Sequence, residues 1–253
     1  NQIDENINQS KKLIKKAINL KADLIITPEC SSIMSLDKKE LFEKCKTINT
    51  DDYIKEIKKI AKKYKKWILI GSVILKITKK KLVNRSVLID DKGKIKSFYD
   101  KIHMYDVVLS KDEKYFESKT FCAGKKIKSF KLPWGRIGFT ICYDLRFPSM
   151  FRKLSKSGSL FISVPSAFTE TTGKKHWLTL LKARAIENFC YIFAPAQGGT
   201  HYNGRKTFGH SVIVSPDGKI LKQLKKSPGI ISYKVDPYLS QKLRLRIPSL
   251  KKD

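Results

Sequence analysis

The sequence predicts an α/β domain, with helices packed on a mixed system of parallel and antiparallel strands. Three observations carry this. Short apolar runs alternate with amphipathic helical stretches along the whole chain. Turn sequences at Lys79-Lys80-Lys81, Asp90-Asp91-Lys92-Gly93 and Ser215-Pro216-Asp217-Gly218 interrupt that alternation, so some strands must pair as antiparallel hairpins. No linker-like break in composition and no repeat period is visible, so residues 1–253 read as one domain, long enough to bury a large core.

The elements follow in order. Ile3, Ile7, Ile14 and Ile18, with Leu13 and Ala17, share one face of an opening helix, and lysines take the other. A short buried strand over 23–27 is stopped by Pro28, and Glu29 stands at its carboxyl end. A helix over 52–65 buries Tyr53, Ile57, Ile60, Ala61 and Tyr64, and a strand over 67–73 follows. The strand over 94–99 delivers Asp100-Lys101-Ile102-His103 at its end. Residues 104–125 lack periodicity and read as a long loop, a common place for function. Strands over 128–132 and 137–141 flank the turn Pro133-Trp134-Gly135. Cys142 then sits where a strand ends, and Pro148 suits the first turn of the next helix, 149–157, which Gly158 stops. Beyond it come a strand over 160–164, a loop over 165–175, a helix over 176–189 and a strand over 190–195. A hairpin over 208–214 and 219–224, a last strand over 230–235 and a short basic tail complete the chain.

Composition excludes several classes. No apolar run approaches the length that spans a bilayer. No secretory leader is visible: Asn1 opens a polar, helix-like segment. Five widely spaced cysteines, an odd number without a CxxC pair, argue against a disulfide framework or a zinc ribbon and suit a reducing cytoplasm. Four scattered histidines offer no metal-ligand spacing. The formal charge of +30 raises nucleic acid as a partner. The positive residues are nearly all lysine and are spread over the whole chain, which reads instead as a solvated surface able to bind polyanions loosely at low salt.

Three strands thus end on a reactive side chain: Glu29, Lys101 and Cys142. Ligands collect at strand carboxyl ends in open α/β sheets, so the three can converge. Their chemistry is complementary. A carboxylate can take the thiol proton, an ammonium can hold a thiolate or an oxyanion, and the sulfur can attack a carbonyl carbon.

Thr27-Pro28-Glu29, then Tyr99-Asp100-Lys101-Ile102-His103-Met104-Tyr105-Asp106, then Gly138-Phe139-Thr140-Ile141-Cys142-Tyr143-Asp144-Leu145-Arg146-Phe147-Pro148 resemble, in order, the three signature blocks of the nitrilase (carbon–nitrogen hydrolase) superfamily. The resemblance implies a four-layer αββα sandwich, usually paired into dimers. It also implies a Glu29–Lys101–Cys142 triad working through an acyl-enzyme, with no metal or organic cofactor. A further glutamate of the family matches Glu117, and the backbone N–H of Tyr143 is then the second oxyanion donor. Asp144 and Arg146 read as a pair fixing the turn. Relatives carry one more strand before the first helix, which this chain, starting at Asn1, lacks.

Two amidase branches of the superfamily compete, one acting on deaminated glutathione and an omega-amidase branch acting on alpha-ketoglutaramate. Pro165-Ser166-Ala167-Phe168, Lys182-Ala183-Arg184-Ala185-Ile186-Glu187, Ala194-Pro195-Ala196-Gln197-Gly198-Gly199-Thr200-His201 and Gly209-His210-Ser211 are similar to the first. Either substrate is a small carboxylate, so a cation should meet it, with Arg184 and Lys175 as candidates. Phe168, Thr171, Thr172 and His176 are expected to wall the pocket, and Trp177 to lie in the core. The other readings are a nitrilase, a carbamoylase, an acyltransferase or, outside enzymes, a basic polyanion-binding protein on the same scaffold.

Overall fold

Alternation along the strands sets the architecture. The computed structural model describes residues 2–252. On β1 (Leu24–Ile26) the side chain of Ile25 joins one apolar cluster, while Leu24 and Ile26 pack against another. β2 (Trp67–Thr78) repeats the division, with Ile68 and Ile70 on one side and Trp67 and Leu69 on the other. So does β3 (Lys81–Ile89), with Val83, Val87 and Ile89 opposed to Leu88. Successive side chains of a strand point to opposite faces, so both faces of this sheet are buried. With β4 (Ile95–Asp100) it has the spatial order β1-β2-β3-β4; β1 runs parallel to β2 and the other pairs are antiparallel.

One face is covered by α1 (Gln2–Asn19) and by α3 (Asp52–Tyr64), through Ile7, Ile14, Tyr53, Ile57 and Ile60. Between them in sequence comes α2 (Lys38–Lys44), capped by the Asp37 carboxylate. Sequence reading missed α2, because Leu41 is its single buried residue and one apolar position makes no periodic signal.

The other face meets a second sheet. Its strands are β7 (Ser129–Leu132), β8 (Gly135–Phe139), β9 (Ser159–Ser163), β10 (Tyr191–Ala194), β13 (Val212–Val214) and β14 (Ile220–Gln223), in the order β14-β13-β10-β9-β8-β7. Leu69, Leu88 and Tyr99 share a cluster with Ile137 and Phe139, and the Trp67 and Phe130 rings meet with centroids 5.9 Å apart. Helices α4 (Pro148–Lys156) and α5 (Glu170–Asn188) cover the outer side. The result is the four-layer αββα sandwich that the resemblance implies.

Several expectations need correction. The stretch 104–125 is not structureless: β5 (Asp106–Val108) and β6 (Lys114–Phe116) form a small ribbon, followed by a 3-10 turn at Glu117–Lys119. Three-residue strands are too short to show a period. α5 starts at Glu170, inside the expected loop; Gly173, a weak helix former, lets the helix pass against Phe208, where a Cβ would lie 2.4 Å from the Phe208 Cβ. Residues 208–214 do not form one strand. Gly209 (φ 70°) and His210 (φ 58°) break it, so that β12 (Lys206–Phe208) pairs instead with β11 (Gly198–Thr200) as a separate ribbon. Residues 230–235 pair with no strand, and the basic tail is helical, as α6 (Pro237–Arg246) and α7 (Ser249–Lys252). Arg244 anchors it, donating from Nη2 to the carbonyls of Ser159 (2.6 Å) and Asn188 (3.2 Å). Among the described residues, no helix is long and apolar enough to cross a membrane.

Candidate active site

β1 and β4 lie at opposite edges of their sheet, yet Glu29 and Lys101 meet. Past Ile26 the chain crosses β2 at Gly71 and Ser72, within the strand. The Thr27 N–H donates to the Leu69 carbonyl (3.1 Å), the Gly71 N–H to Thr27 Oγ1 (3.0 Å), and the Cys30 N–H to Ser72 Oγ (2.9 Å). The crossing requires Gly71: a Cβ there would stand 1.9 Å from the Thr27 carbonyl oxygen. The pairing of β2 with β3 also shifts register between Ile70 and Val73. Glu29 is thereby carried to β3, where Oε1 accepts from Asn84 Nδ2 (2.9 Å). Lys101, just past β4, arrives at the same residue from the other side, its N–H donating to the Asn84 carbonyl (2.9 Å).

Lys101 is 2% exposed. Its Nζ donates to Glu29 Oε1 (3.1 Å) and to both oxygens of Glu117 (2.9 and 2.8 Å). Glu117 also accepts from the Tyr105 N–H (2.7 Å), and Glu29 Oε2 accepts from the Ala167 N–H (2.7 Å). Cys142 reaches this group from the second sheet. It sits just past β8 in the left-handed region, φ 49°, with its N–H bonded to the Pro165 carbonyl (2.9 Å). A non-glycine residue held there costs on the order of 1–3 kcal/mol and persists only where the surroundings impose it.

The surroundings do so through Asp144, which is fully buried. Its Oδ2 accepts from the Ile141 N–H (2.8 Å) and the Tyr99 hydroxyl (2.7 Å), while Oδ1 accepts from the His103 N–H (3.1 Å) and meets His103 Nδ1 (2.6 Å). Asp144 thus fixes the turn, as expected, but not by pairing with Arg146. Arg146 instead lies over the Phe168 ring, 5.4 Å from its centroid, and meets His176 Nδ1 at 3.3 Å.

Electrostatics separate the two ends of the proton path. Burial pushes Glu29 up, but Lys101, Arg205, the Cys142 thiol and the Ala167 N–H outweigh it, and the carboxyl lies below its ordinary range. Burial pulls Lys101 down, but Glu117, Glu29 and Cys142 hold it well above its usual value. The Cys142 thiol is raised, first by burial and then by the Glu29 charge, with Lys101 opposing. At neutral pH the resting group is therefore a carboxylate, an ammonium and a protonated thiol. Alkylation of Cys142 by iodoacetamide, followed on its own peptide by mass spectrometry, should still climb about tenfold per pH unit through pH 9. A plateau below pH 8 would mean that the thiolate is already formed at rest.

A cavity of about 220 Å³ opens at this group. Glu29, Asn84, Lys101, Glu117 and Cys142 line its polar end, and Ile33, Met34, Leu41, Ile74 and Phe121 its apolar side. A smaller cavity beside Cys142 is lined by Tyr143, Phe168, Thr172 and Arg205, among others. Tyr143, Phe168 and Thr172 thus line a cavity beside Cys142. The remaining candidates do not line either cavity. His176 and Lys175 are exposed on α5, and Thr171 donates to Glu113 Oε2 (2.8 Å) at the surface. Arg184 is committed elsewhere: its Nε donates to the Leu145 carbonyl (3.0 Å) and its Nη1 to Glu187 Oε1 (3.0 Å), so it braces the turn rather than facing a ligand. Trp177 is core, with its indole N–H on the His210 carbonyl (3.0 Å).

Sequence reading missed Asn84, Arg205 and Ala167. A polar residue inside the apolar run of β3 was the available sign for Asn84, since buried amides need partners. Arg205 was marked only by being an arginine where lysine is the rule, and Ala167 only as part of the stretch Pro165-Ser166-Ala167-Phe168, since it acts through its backbone. Among the described residues, no group of three or more His, Cys, Asp or Glu side chains is placed to hold a metal ion.

The family model described as carbon-nitrogen hydrolase matches residues 1–244. The chain is 36% identical to the deaminated glutathione amidase of Synechocystis sp. over 252 residues, covering 98% of this chain and 92% of that protein. It is also 36% identical to the deaminated glutathione amidase of Yersinia enterocolitica over 249 residues, 97% of this chain and 86% of the other. The crystal structure of the Caenorhabditis elegans NitFhit protein superposes with a TM-score of 0.92 at 32% identity, over 99% of this chain and 61% of that longer one.

Proposed function

We propose, from the fact that this chain belongs to the carbon–nitrogen hydrolase family, that it hydrolyses a small carboxylate-bearing linear amide through a thioester on Cys142, and that deaminated glutathione is this amide. Hydrolysis of a non-peptide carbon–nitrogen bond follows from the family; the substrate and the residue roles are our reading. One observation carries the roles: Lys101 Nζ lies within 3.1 Å of Glu29 and 2.8 Å of Glu117, beside the Cys142 thiol.

Cys142 Sγ attacks the amide carbonyl carbon as Glu29 takes the thiol proton. The charge that develops on the carbonyl oxygen is met by Lys101 Nζ and by the Tyr143 N–H. Glu29 returns the proton to the amide nitrogen, the carbon–nitrogen bond breaks, and the amine leaves a thioester. Water, deprotonated by Glu29, then attacks the thioester carbon; the carboxylic product departs and the sulfur recovers its proton. Glu117 keeps Lys101 oriented and accepts from the substrate amide. No cofactor enters these steps. Because the thiol is raised and Glu29 lowered, proton transfer needs the substrate in place, which protects the sulfur between turnovers.

We place the enzyme in the cytoplasm as a homodimer, without a specific nucleic-acid or membrane partner. The dispersal of its lysines supports this over a basic binding protein. Amine release should be compared for deaminated glutathione, alpha-ketoglutaramate, a nitrile and a carbamoyl amino acid. The highest kcat/KM is expected for deaminated glutathione. A preference for alpha-ketoglutaramate would move the chain to the omega-amidase reading, and turnover of the nitrile alone would overturn the amidase assignment.

A further inference from the structure

With Arg184 and Lys175 away from the cavity, the cation that meets the substrate must come from elsewhere. Three cationic side chains line the larger cavity: Lys101, Lys114 and Arg205. Lys101 is held between two carboxylates, and Lys114 is exposed on the β5–β6 ribbon. Arg205 differs from both. It stands at the tip of the β11–β12 ribbon, held there by the His201 N–H on its carbonyl (2.9 Å) and by its own N–H on Asn203 Oδ1 (3.1 Å). The tip is tied across the site, where the Tyr202 hydroxyl donates to Glu40 Oε2 (2.7 Å) on α2.

The guanidinium lies over the Tyr115 ring, 5.1 Å from its centroid, and Nη2 donates to the Ala167 carbonyl (2.8 Å). Nε is buried and has no hydrogen-bond partner among the described residues, and no carboxylate among them pairs with this side chain. Arg205 is also the one cation that lines the small cavity together with Cys142 and Tyr143. Cys142 and Arg205 line the larger cavity together as well, so an acyl group left on the sulfur after the amine departs shares a cavity with this guanidinium.

We infer that Arg205 is the specificity-determining residue that binds a carboxylate on the acyl chain of the substrate, so that the enzyme takes omega-amides of dicarboxylic acids over neutral amides. This rests on the amidase reading above. A planar guanidinium fixed by an aromatic face and one carbonyl keeps further N–H donors directed at a carboxylate, and a charge-assisted fork is strong where water is scarce. It also explains the ribbon: the tie to α2 holds the cation at a set distance from the sulfur.

The test pairs glutaramate, which carries the acyl-chain carboxylate, with pentanamide, which lacks it. In the unmodified enzyme glutaramate should be preferred. In Arg205→Gln the ratio of the two kcat/KM values should fall by roughly 100-fold, mainly through KM for glutaramate, as expected for lost hydrogen bonds to a charged group. Arg205→Lys, which keeps the charge and loses the fork, should fall between. A ratio within threefold of the unmodified enzyme, or equal losses on both amides, would overturn the assignment, because a role in holding Glu29 or the ribbon ignores the acid group. A calorimetric arm separates this from the amidase reading: glutarate should bind the Cys142→Ala protein and bind Cys142→Ala/Arg205→Gln at least thirtyfold more weakly. If neither amide nor deaminated glutathione is turned over, the amidase reading fails, and the glutarate result still decides the role of Arg205.

Discussion

Cys142→Ala is expected to abolish amide hydrolysis, with kcat falling by at least about 10⁴-fold, while the protein stays folded. The size follows from the role. Without the sulfur no thioester can form, and the remaining ammonium and backbone donors can only polarise a carbonyl that nothing attacks. The fold should tolerate the change, because the turn is held by Asp144 and by the bond from the Cys142 N–H to Pro165, neither of which involves the thiol. Alanine removes one sulfur from a packed site, a change of about 1 kcal/mol or less if the neighbours relax. Amine release and a denaturant curve on the same preparation check both halves. Mass spectrometry after mixing with substrate should find an acyl adduct on the unmodified chain and none on the variant. Activity above a tenth of the original would remove Cys142 from the mechanism.

Lys101→Met should be as damaging to turnover and far worse for stability, by about 3–5 kcal/mol. Lys101 and Glu29 are almost fully buried, Glu117 is largely so, and the ammonium bonds to both carboxylates. Removing it leaves two negative charges facing each other with little solvent between them, and a methionine of similar length cannot neutralise either. Lys101→Met/Glu117→Gln should regain part of the stability and none of the activity, since one charge is gone but the oxyanion still lacks its cation. Urea midpoints and amine release measure the two effects. Equal stability of the single and double variants would mean that the three groups are not coupled.

Much of this site was legible in the amino-acid sequence. Glu29, Lys101 and Cys142 each follow a strand-like stretch, and strand ends are where a chain turns from burial to chemistry. Tyr143, Phe168 and Thr172 follow from nearness in sequence to Cys142 or to the next strand end. The errors share a cause as well. Arg184 was a reasonable cation on a helix near the site, but a side chain on a helix serves whichever face it lies on, and that face turned to the Leu145 carbonyl. The helix α2 and the ribbons at 106–116 and 198–208 were hidden because each is too short to carry a period, and the C-terminal helices because lysine and arginine masked one anchoring contact.

Strand and helix periods, the turn residues and three reactive side chains at strand ends were set by the amino-acid order alone, because each depends on neighbours within a few residues. The meeting of Glu29 with Lys101 from opposite edges of a sheet, the transfer of Asp144 to Tyr99 and His103, and the arrival of Arg205 beside Cys142 were decided only by the packed molecule. Those residues lie from 41 to 72 positions apart, and the first pair meets by way of a glycine that lets one strand end pass across another strand. Local pattern holds no information about a distance of that kind; it is fixed when two sheets close on a common core and their ends have nowhere else to go.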